Sequence, residues 1–350
     1  MKLITKFFLS IDFLIISLLV LVYVPSFKSI QESLVNDISI GKNIKYLSYV
    51  FYDEKKVDSL FNDYYEELSF EEQAYGDSYI KVQDKMKYDN IYDQLVLSRD
   101  PGNDDYKIIR TIIGGYPAYI VVIYHPEDVQ LLKSRAYNTP DHYSGLSTVK
   151  QMTKTAGAIV GINGGGFRSD ARTFGIDTPT GYIIKNGEII WNGKGKGNLI
   201  CMTYDNELKL IKATGEEAIN NYNVRDAMQF GPFLIVDGKS QKVGHYAGGF
   251  HRTGRTIIAQ RKDGIILFVV TDNYGNFHDG PNMKEIIKKL ELYGVYNAAN
   301  LDGGGSTQLV VKGKLYNHPI STYNVPVNGG NGRSVVNGWG LIVGSGSKTE

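Results

Sequence analysis

Asp302 stands after Ala298 to Leu301 and before three glycines, in Asn300-Leu301-Asp302-Gly303-Gly304-Gly305-Ser306-Thr307. Glycine lacks Cβ, so the backbone there can take positive φ and lie directly against a ligand. Successive N–H groups in such a turn form an anion-binding concavity. A carboxylate beside an anion cradle points to chemistry on a charged substrate, although a glycine-rich turn capped by an aspartate has the same composition. Asn163 has a parallel setting, after Ala158 to Ile162 and before Gly164-Gly165-Gly166. Each cluster follows a helix and then a strand. Two strand ends are therefore expected to deliver Asn163 and Asp302 to one site.

The positioning elements are legible from spacing. Ser147 reads as the N-cap of a helix over Thr148 to Ala156, with Val149, Met152 and Ala156 on one face and Gly157 as its stop. Asn282 and Glu285 form a capping-box pattern that opens a helix carrying Ile286, Ile287, Leu290 and Tyr293, closed by Gly294. Tyr119 to Tyr124 is a continuous apolar run, the mark of a buried strand. Asn186-Gly187, Asp237-Gly238 and Asp263-Gly264 each separate apolar runs, as does Gly313, and each predicts a hairpin. Cys201 is the sole cysteine and follows Leu199-Ile200, so it reads as a buried, inert thiol. It leaves no internal disulfide and no cysteine-based metal site.

Lys+Arg number 38 against 37 Asp+Glu, a balance that removes the electrostatic case for nucleic-acid binding. At the N-terminus, Lys2 and Lys6 precede an apolar run from Phe7 to Val24 broken by Ser10, Asp12 and Ser17. As a helix it spans about 27 Å, close to a hydrocarbon core. No small-x-small cleavage pattern follows it. An uncleaved transmembrane anchor over 1–27 is expected, with the rest of the chain outside the cell membrane it crosses once. Residues 28–104 are rich in charge and tyrosine and read as a helical, membrane-proximal stalk; Val57, Leu60, Phe61, Tyr64 and Leu68 recur at helical spacing. The fold class expected for 105–345 is α+β, a β-rich mixed domain with several hairpins and a few packing helices.

Gly161-Ile162-Asn163-Gly164-Gly165-Gly166-Phe167 resembles the Ile-Asn-(Ala/Gly)-Gly-Phe-Phe segment of the phosphodiester glycosidase family, which has many exopolysaccharide-associated bacterial members. Further segments follow in the family's order: Gly181 to Glu188, Phe230 to Gly238, Arg255 to Ala259, Asn300 to Thr307, and Gly332 to Asn337. The resemblance covers roughly 105–345. Three segments depart from the family's pattern. Gly166 replaces an aromatic, Arg333-Ser334-Val335-Val336-Asn337 replaces Arg-Pro-Val-Ala-Asn, and Asp272 to Asn276 fits loosely.

The resemblance implies hydrolysis of a sugar-1-phosphodiester at the glycosidic C–O bond. Ordinary glycosidases need two carboxylates, one to protonate the leaving oxygen. A phosphomonoester leaves more readily, so a cationic clamp matters more. Arginine suits that role because it stays charged and matches phosphate oxygens bidentately. On this reading Asp302 is nucleophile, base or stabiliser of the oxocarbenium, and Asp272 is the second carboxylate. Asn163 holds a hydroxyl or a water. Arg255 and Arg333 clamp phosphate, backed by the Gly303, Gly304 and Gly305 N–H groups, with Gly164, Gly165, Ser306 and Thr307 as further contacts. The substrate would be a glycosyl phosphodiester or a cell-envelope polysaccharide, with no cofactor implied.

Two other classes fit the same residues. Asp272, Asn273, Asp279 and Asp302 supply oxygens that Ca²⁺ or Mg²⁺ would use in a metal-dependent phosphodiesterase, without the spacing of a known loop. A non-catalytic polysaccharide-binding protein would use the same cleft. There is no Gly-x-Ser-x-Gly elbow, Walker loop or His-Glu-x-x-His, and the six histidines form no i, i+4 pair.

Overall fold

A computed structural model describes residues 88, 90–134, 146–169, 177–243, 252–272 and 278–346. The anchor at 1–27, the helical spacing at 55–68, His245, His251 and the segment Asn273 to Asn276 lie outside these residues. No helix among the described residues is long and apolar enough to cross a membrane.

Nineteen strands are described, and every pairing among them is antiparallel. The largest sheet has seven strands in the order β1 (Tyr106–Ile113), β2 (Tyr116–Ile123), β15 (Ile266–Thr271), β14 (Thr256–Arg261), β16 (Val295–Asn300), β12 (Phe233–Val236), β13 (Lys239–Ser240). A second sheet runs β10 (Leu208–Ala213), β9 (Gly197–Thr203), β11 (Val224–Gln229), β7 (Ile183–Lys185), β8 (Glu188–Trp191). A third runs β18 (Lys314–Leu315), β17 (Leu309–Val311), β4 (Val160–Asn163), β19 (Asn337–Leu341), β3 (Val129–Lys133). A short pair, β5 (Phe167–Ser169) and β6 (Asp177–Pro179), follows the first glycine cluster.

The inner faces of the three large sheets share one core. Val121 and Ile123 of β2, Phe268 and Val270 of β15, Val160 and Ile162 of β4, Ile200 and Met202 of β9, and Trp339 of β19 belong to a single buried cluster. Strand residues alternate between faces. Ile120, Val122, Leu267 and Val269 therefore point the other way, into a second cluster with Met283, Ile286 and Leu290. A sheet covered on both faces needs strands that are apolar throughout, which is why Tyr119 to Tyr124 reads as an unbroken run. Each large sheet carries a helix on its outer face. α4 (Met283–Leu292) covers the seven-stranded sheet, and α3 (Gly215–Tyr222) covers the sheet containing Cys201 through Ala218. α2 (Val149–Ala156) covers the third through Val149 and Met152.

The first described helix, α1 (Ile91–Leu97), lies within the stretch assigned above to a stalk. Val96 is fully buried in the second cluster, Tyr124 Oη donates to the Val96 carbonyl at 2.9 Å, and Arg261 pairs with Asp93 at 2.9 Å. Residues 90–104 are thus part of the β body; their charged exterior conceals the one inward face.

The predicted hairpins form. Lys185 faces Glu188 across Asn186 (φ 53°) and Gly187 (φ 75°), and Val236 faces Lys239 across Asp237 and Gly238. Val311 faces Lys314 across Lys312 and Gly313, and β14 faces β15 across the Asp263-Gly264 turn. The Asn282–Glu285 capping box is present. The first cap differs by one residue. Thr148, not Ser147, accepts the Gln151 N–H, while Gln151 returns a bond to the Thr148 N–H. Ser147 is committed instead to a bridge with Val335. Thr148→Ala should therefore destabilise the protein by about 1 kcal/mol, read from a denaturant unfolding curve.

Candidate active site

β4 and β16 belong to different sheets, and their C-terminal ends meet. Asn163 Nδ2 donates to the Asp302 carbonyl at 2.6 Å, and the Asp302 N–H donates to the Gly164 carbonyl at 2.8 Å. Asn163 Oδ1 accepts from the Thr256 hydroxyl at 2.7 Å and from the Gln308 N–H at 3.0 Å. The Asn163 side chain is fully buried. The convergence expected from the two parallel motifs is present. The Asn163 carbonyl oxygen accepts from two donors and its amide donates to the Asp302 carbonyl, so it positions Asp302.

The glycine loop also differs from the anion cradle expected. Gly304 to Ser306 form one turn of 3₁₀ helix. The Gly303 N–H donates to Asp302 Oδ1 at 3.1 Å and the Gly304 N–H to the Gly254 carbonyl at 2.8 Å. The Gly164 N–H goes to the Asn337 carbonyl at 3.0 Å, and the Gly165 N–H to Asn337 Oδ1 at 2.7 Å. The Gly304, Gly164 and Gly165 donors fasten the loop to the body of the protein, and the Gly303 donor closes on the Asp302 side chain. The glycines are needed for closeness and for hand. A Cβ on Gly303 would lie 2.8 Å from the Gly254 carbonyl, and Gly304 has φ +59°.

What the loop presents is the Asp302 carboxylate. Burial pushes its pKa up; the Ser306 hydroxyl, the charge of Arg333 and the Gly303 N–H draw it back in part. Ser306 and Thr307 are both buried. Arg333 is exposed on its loop, with its guanidinium 4.9 Å from the centre of the Phe167 ring. Arg255 is buried at the start of β14, with its N–H on Thr271 Oγ1 at 2.8 Å. Its Cδ would be 3.6 Å from a Cβ on Gly303, which sets its side chain against the loop. Burial lowers the Arg255 guanidinium to about 10, still cationic at neutral pH.

Asp272 ends β15 and faces a residue that the sequence did not single out. His318 donates its N–H to Asp272 Oδ1 at 2.8 Å, and His318 Nδ1 lies 3.1 Å from Oδ2. Burial raises the Asp272 pKa, opposed by these bonds and by Asn317. Asn317 also donates to the Thr307 carbonyl at 3.0 Å, so Asp272 joins the glycine loop through an intermediary. His318 is 46 residues away in a loop without periodicity, and nothing local in the sequence links it to Asp272. Among the described residues no three His, Cys, Asp or Glu are grouped to hold a metal ion. Of the proposed oxygen set, Asn273 lies outside the described residues.

A family model for phosphodiester glycosidases matches residues 156–342, just over half of the chain. An uncharacterised SPbeta prophage-derived protein of Bacillus subtilis, YomE, is 27% identical over 177 residues, covering 49% of this chain and 27% of that protein. The mouse N-acetylglucosamine-1-phosphodiester alpha-N-acetylglucosaminidase is 22% identical over 241 residues, 63% of this chain and 46% of that protein. The chain thus spans less than half the length of either curated relative. The catalytic domain of the zebrafish enzyme of that name superposes with a TM-score of 0.52 at 20% identity, over 70% of this chain and 85% of that one, and so shares its fold.

Two predictions follow from the geometry. Asn163→Ala leaves the Thr256 hydroxyl, the Gln308 N–H and the Asp302 carbonyl without this partner in a dry site. Stability should fall by roughly 3 kcal/mol or more in chemical denaturation. Asp302→Asn should act oppositely. A carboxylate whose pKa is raised on folding binds more protons folded than unfolded, so stability falls as pH rises from the unfolded value through the folded one. At neutral pH the asparagine variant should therefore have a Tm at or above wild type, and the gain should vanish under acid.

Proposed function

The chain belongs to the phosphodiester glycosidase family, and from that membership we infer that it hydrolyses glycosyl phosphodiesters at the bond between the anomeric carbon and the phosphate oxygen. The observation that carries this reading is Asp302. It is one desolvated carboxylate, fixed at the junction of two sheets, with Arg333 close enough to influence its charge.

The anomeric C–O bond breaks with its electron pair going to the phosphate oxygen. The phosphomonoester leaves as an anion, so no protonated second carboxylate is required. Water supplies the new oxygen on the sugar, and its proton passes to solvent by way of Asp302. Desolvation raises both the basicity and the reactivity of that carboxylate. It serves equally as a base on water or as a nucleophile toward carbon. Arg333 offers an exposed, planar donor pair for phosphate oxygens. Arg255 adds a fixed positive charge behind the loop. Asp272 is held by His318 and Asn317, and supports the loop from one residue further out.

The setting proposed is the outer face of a membrane, behind a single anchor at 1–27. Its support is the pair Lys2 and Lys6 ahead of the apolar run to Val24. A cell-surface glycan or a capped sugar phosphate is the corresponding substrate.

Hydrolysis in ¹⁸O-water tests the reaction: label should appear in the sugar, and label in the phosphate would overturn the assignment. A chelator should leave the rate unchanged; loss on chelation would favour the metal-dependent phosphodiesterase. Asp302→Asn should lower kcat by roughly 10²–10⁴-fold, and Arg333→Ala should lower kcat/KM by about 10²-fold. Asp302 works ionised and its pKa is raised. Activity should therefore decline on acidification at a pH above the ordinary aspartate value of about 3.9.

A further inference from the structure

Four chain segments close around one place beside the Asp302 loop. A Cβ on Gly254 would lie 3.2 Å from Thr307 Oγ1 and 3.4 Å from the Thr271 carbonyl. The Thr271 N–H donates to the Arg255 carbonyl at 2.9 Å, which sets Asp272 at the strand end next to Arg255. Asn317 fastens the fourth segment, donating to the Thr307 carbonyl at 3.0 Å and accepting the Leu309 N–H at 2.8 Å. The next residue is His318. It lies between the Asn300 to Thr307 and Gly332 to Asn337 segments that carry the family resemblance, and in neither.

His318 combines an anchored edge with an open ring. Its side chain is 82% exposed, whereas that of Asp272 is 7% exposed. Both Asp272 oxygens meet this residue, Oδ1 at its backbone N–H (2.8 Å) and Oδ2 at ring Nδ1 (3.1 Å). A carboxylate accepts, so Nδ1 carries a proton and Nε2 is left for a ligand. In the imidazolium form Nε2 is a charged donor. A surface side chain normally loses rotamer freedom when it binds. Here a buried carboxylate has already set the ring.

The leaving group calls for such a donor. A phosphodiester carries one negative charge, and a phosphomonoester carries about 1.5 to 2 at neutral pH. The extra charge gathers on phosphate as the C–O electron pair passes to its oxygen. We propose that His318, oriented by Asp272, is a further ligand of the substrate phosphate, its imidazolium Nε2–H donating to a phosphate oxygen. No proton need leave the ring. The proposal rests on the reading of the chain as a glycosyl phosphodiester hydrolase, and binding can be measured apart from turnover.

The charged and titratable groups around the pair are Arg110 of β1, Tyr119 of β2 and Tyr316 of the loop that carries His318. Tyr119 and Tyr316 stack edge to face at 5.1 Å, and Arg110 Nη2 donates to Tyr316 Oη at 3.0 Å. Burial first, and Asp272 next, raise the Tyr119 phenol. Phenols and guanidinium groups keep one charge state between about pH 5 and pH 8, where histidine changes its own. Asp272 and Asp302, both raised by burial, are common to wild type and to a His318 variant, so a ratio between the two isolates His318.

Dimethyl phosphate is the probe, because it keeps a single charge over this range and has no glycosyl bond. It is titrated with a chelator present, so that no bound cation contributes. The His318 ring resonances of wild type should move on its addition at about pH 5.5. The ratio of wild-type affinity to that of His318→Gln should be about tenfold there and should approach unity by about pH 8. The same ratio in kcat/KM for a glycosyl phosphodiester should follow that course. A residue that only supports the loop would give one ratio at both pH values. Ring resonances that do not move, or a ratio that does not change with pH, would overturn the proposal; the wild-type ring signal decides it even where the variant fails to fold. Ring resonances that move and a ratio that changes with pH, without hydrolysis of any glycosyl phosphodiester, would uphold His318 as a phosphate ligand and sink the hydrolytic reading instead.

Discussion

Two hydrogen bonds join the end of β4 to the end of β16, and the site is built outward from them. The Asn163 amide holds the Asp302 carbonyl, while the Asp302 N–H holds the Gly164 carbonyl. The strands belong to different sheets, so these bonds are also where the third sheet is tied to the seven-stranded one. Asn163 is suited to the place because it donates and accepts together: Thr256 and Gln308 fill its oxygen while its nitrogen serves Asp302. An aspartate could not donate, and an alanine would leave three backbone or hydroxyl groups unmet in a dry interior. Shared hydrogen bonding of this kind polarises its members and makes the junction stiffer than any one bond suggests.

That stiffness is what allows a carboxylate to stay where solvation does not favour it. Asp302 is desolvated, and its charged form is opposed by burial more than it is helped by Ser306, Arg333 and Gly303. Left mobile, the side chain would swing toward water. It is held because the backbone on both sides is committed: Asp302 to Gly164 on one side, Gly304 to Gly254 on the other. Gly303 contributes by letting the loop lie against the Gly254 carbonyl, which the Gly304 N–H also bonds. The site trades local stability for a reactive group, and the surrounding cores of three sheets support that trade.

Features that depend on near neighbours in the chain were the legible ones. Turn chemistry at Asn186-Gly187 and Asp237-Gly238, the Asn282–Glu285 box, and the unbroken apolar run in β2 each follow from a few adjacent residues. The pairing of Asn163 with Asp302 was legible because both motifs share one pattern. What was not legible is where hydrogen bonds go. The Gly303, Gly304, Gly164 and Gly165 N–H groups look like parts of an anion cradle until they are followed to Asp302, Gly254 and Asn337. The Thr148 cap differs from the expected Ser147 because Val335, distant in sequence, claims Ser147. The Asp272–His318 contact spans two loops with no periodic signal, and the inward face of α1 is short, with Val96 buried and Tyr92 and Leu95 packed beside it.

On the proposed reading, the asymmetry of the site follows from the leaving group. An alkoxide must be protonated as it departs, and enzymes that expel one set two carboxylates across the bond. Among the described residues one desolvated carboxylate is set at the strand junction, and the second carboxylate named above, Asp272, is occupied by His318 and Asn317. Such an arrangement would be poor for an ordinary glycoside and adequate for a bond whose oxygen already belongs to phosphate. On the proposed reading the cationic groups would do the work of a general acid, stabilising charge on the departing oxygen without transferring a proton. Specificity must in consequence come from elsewhere, because a phosphate clamp alone does not distinguish one phosphodiester from another.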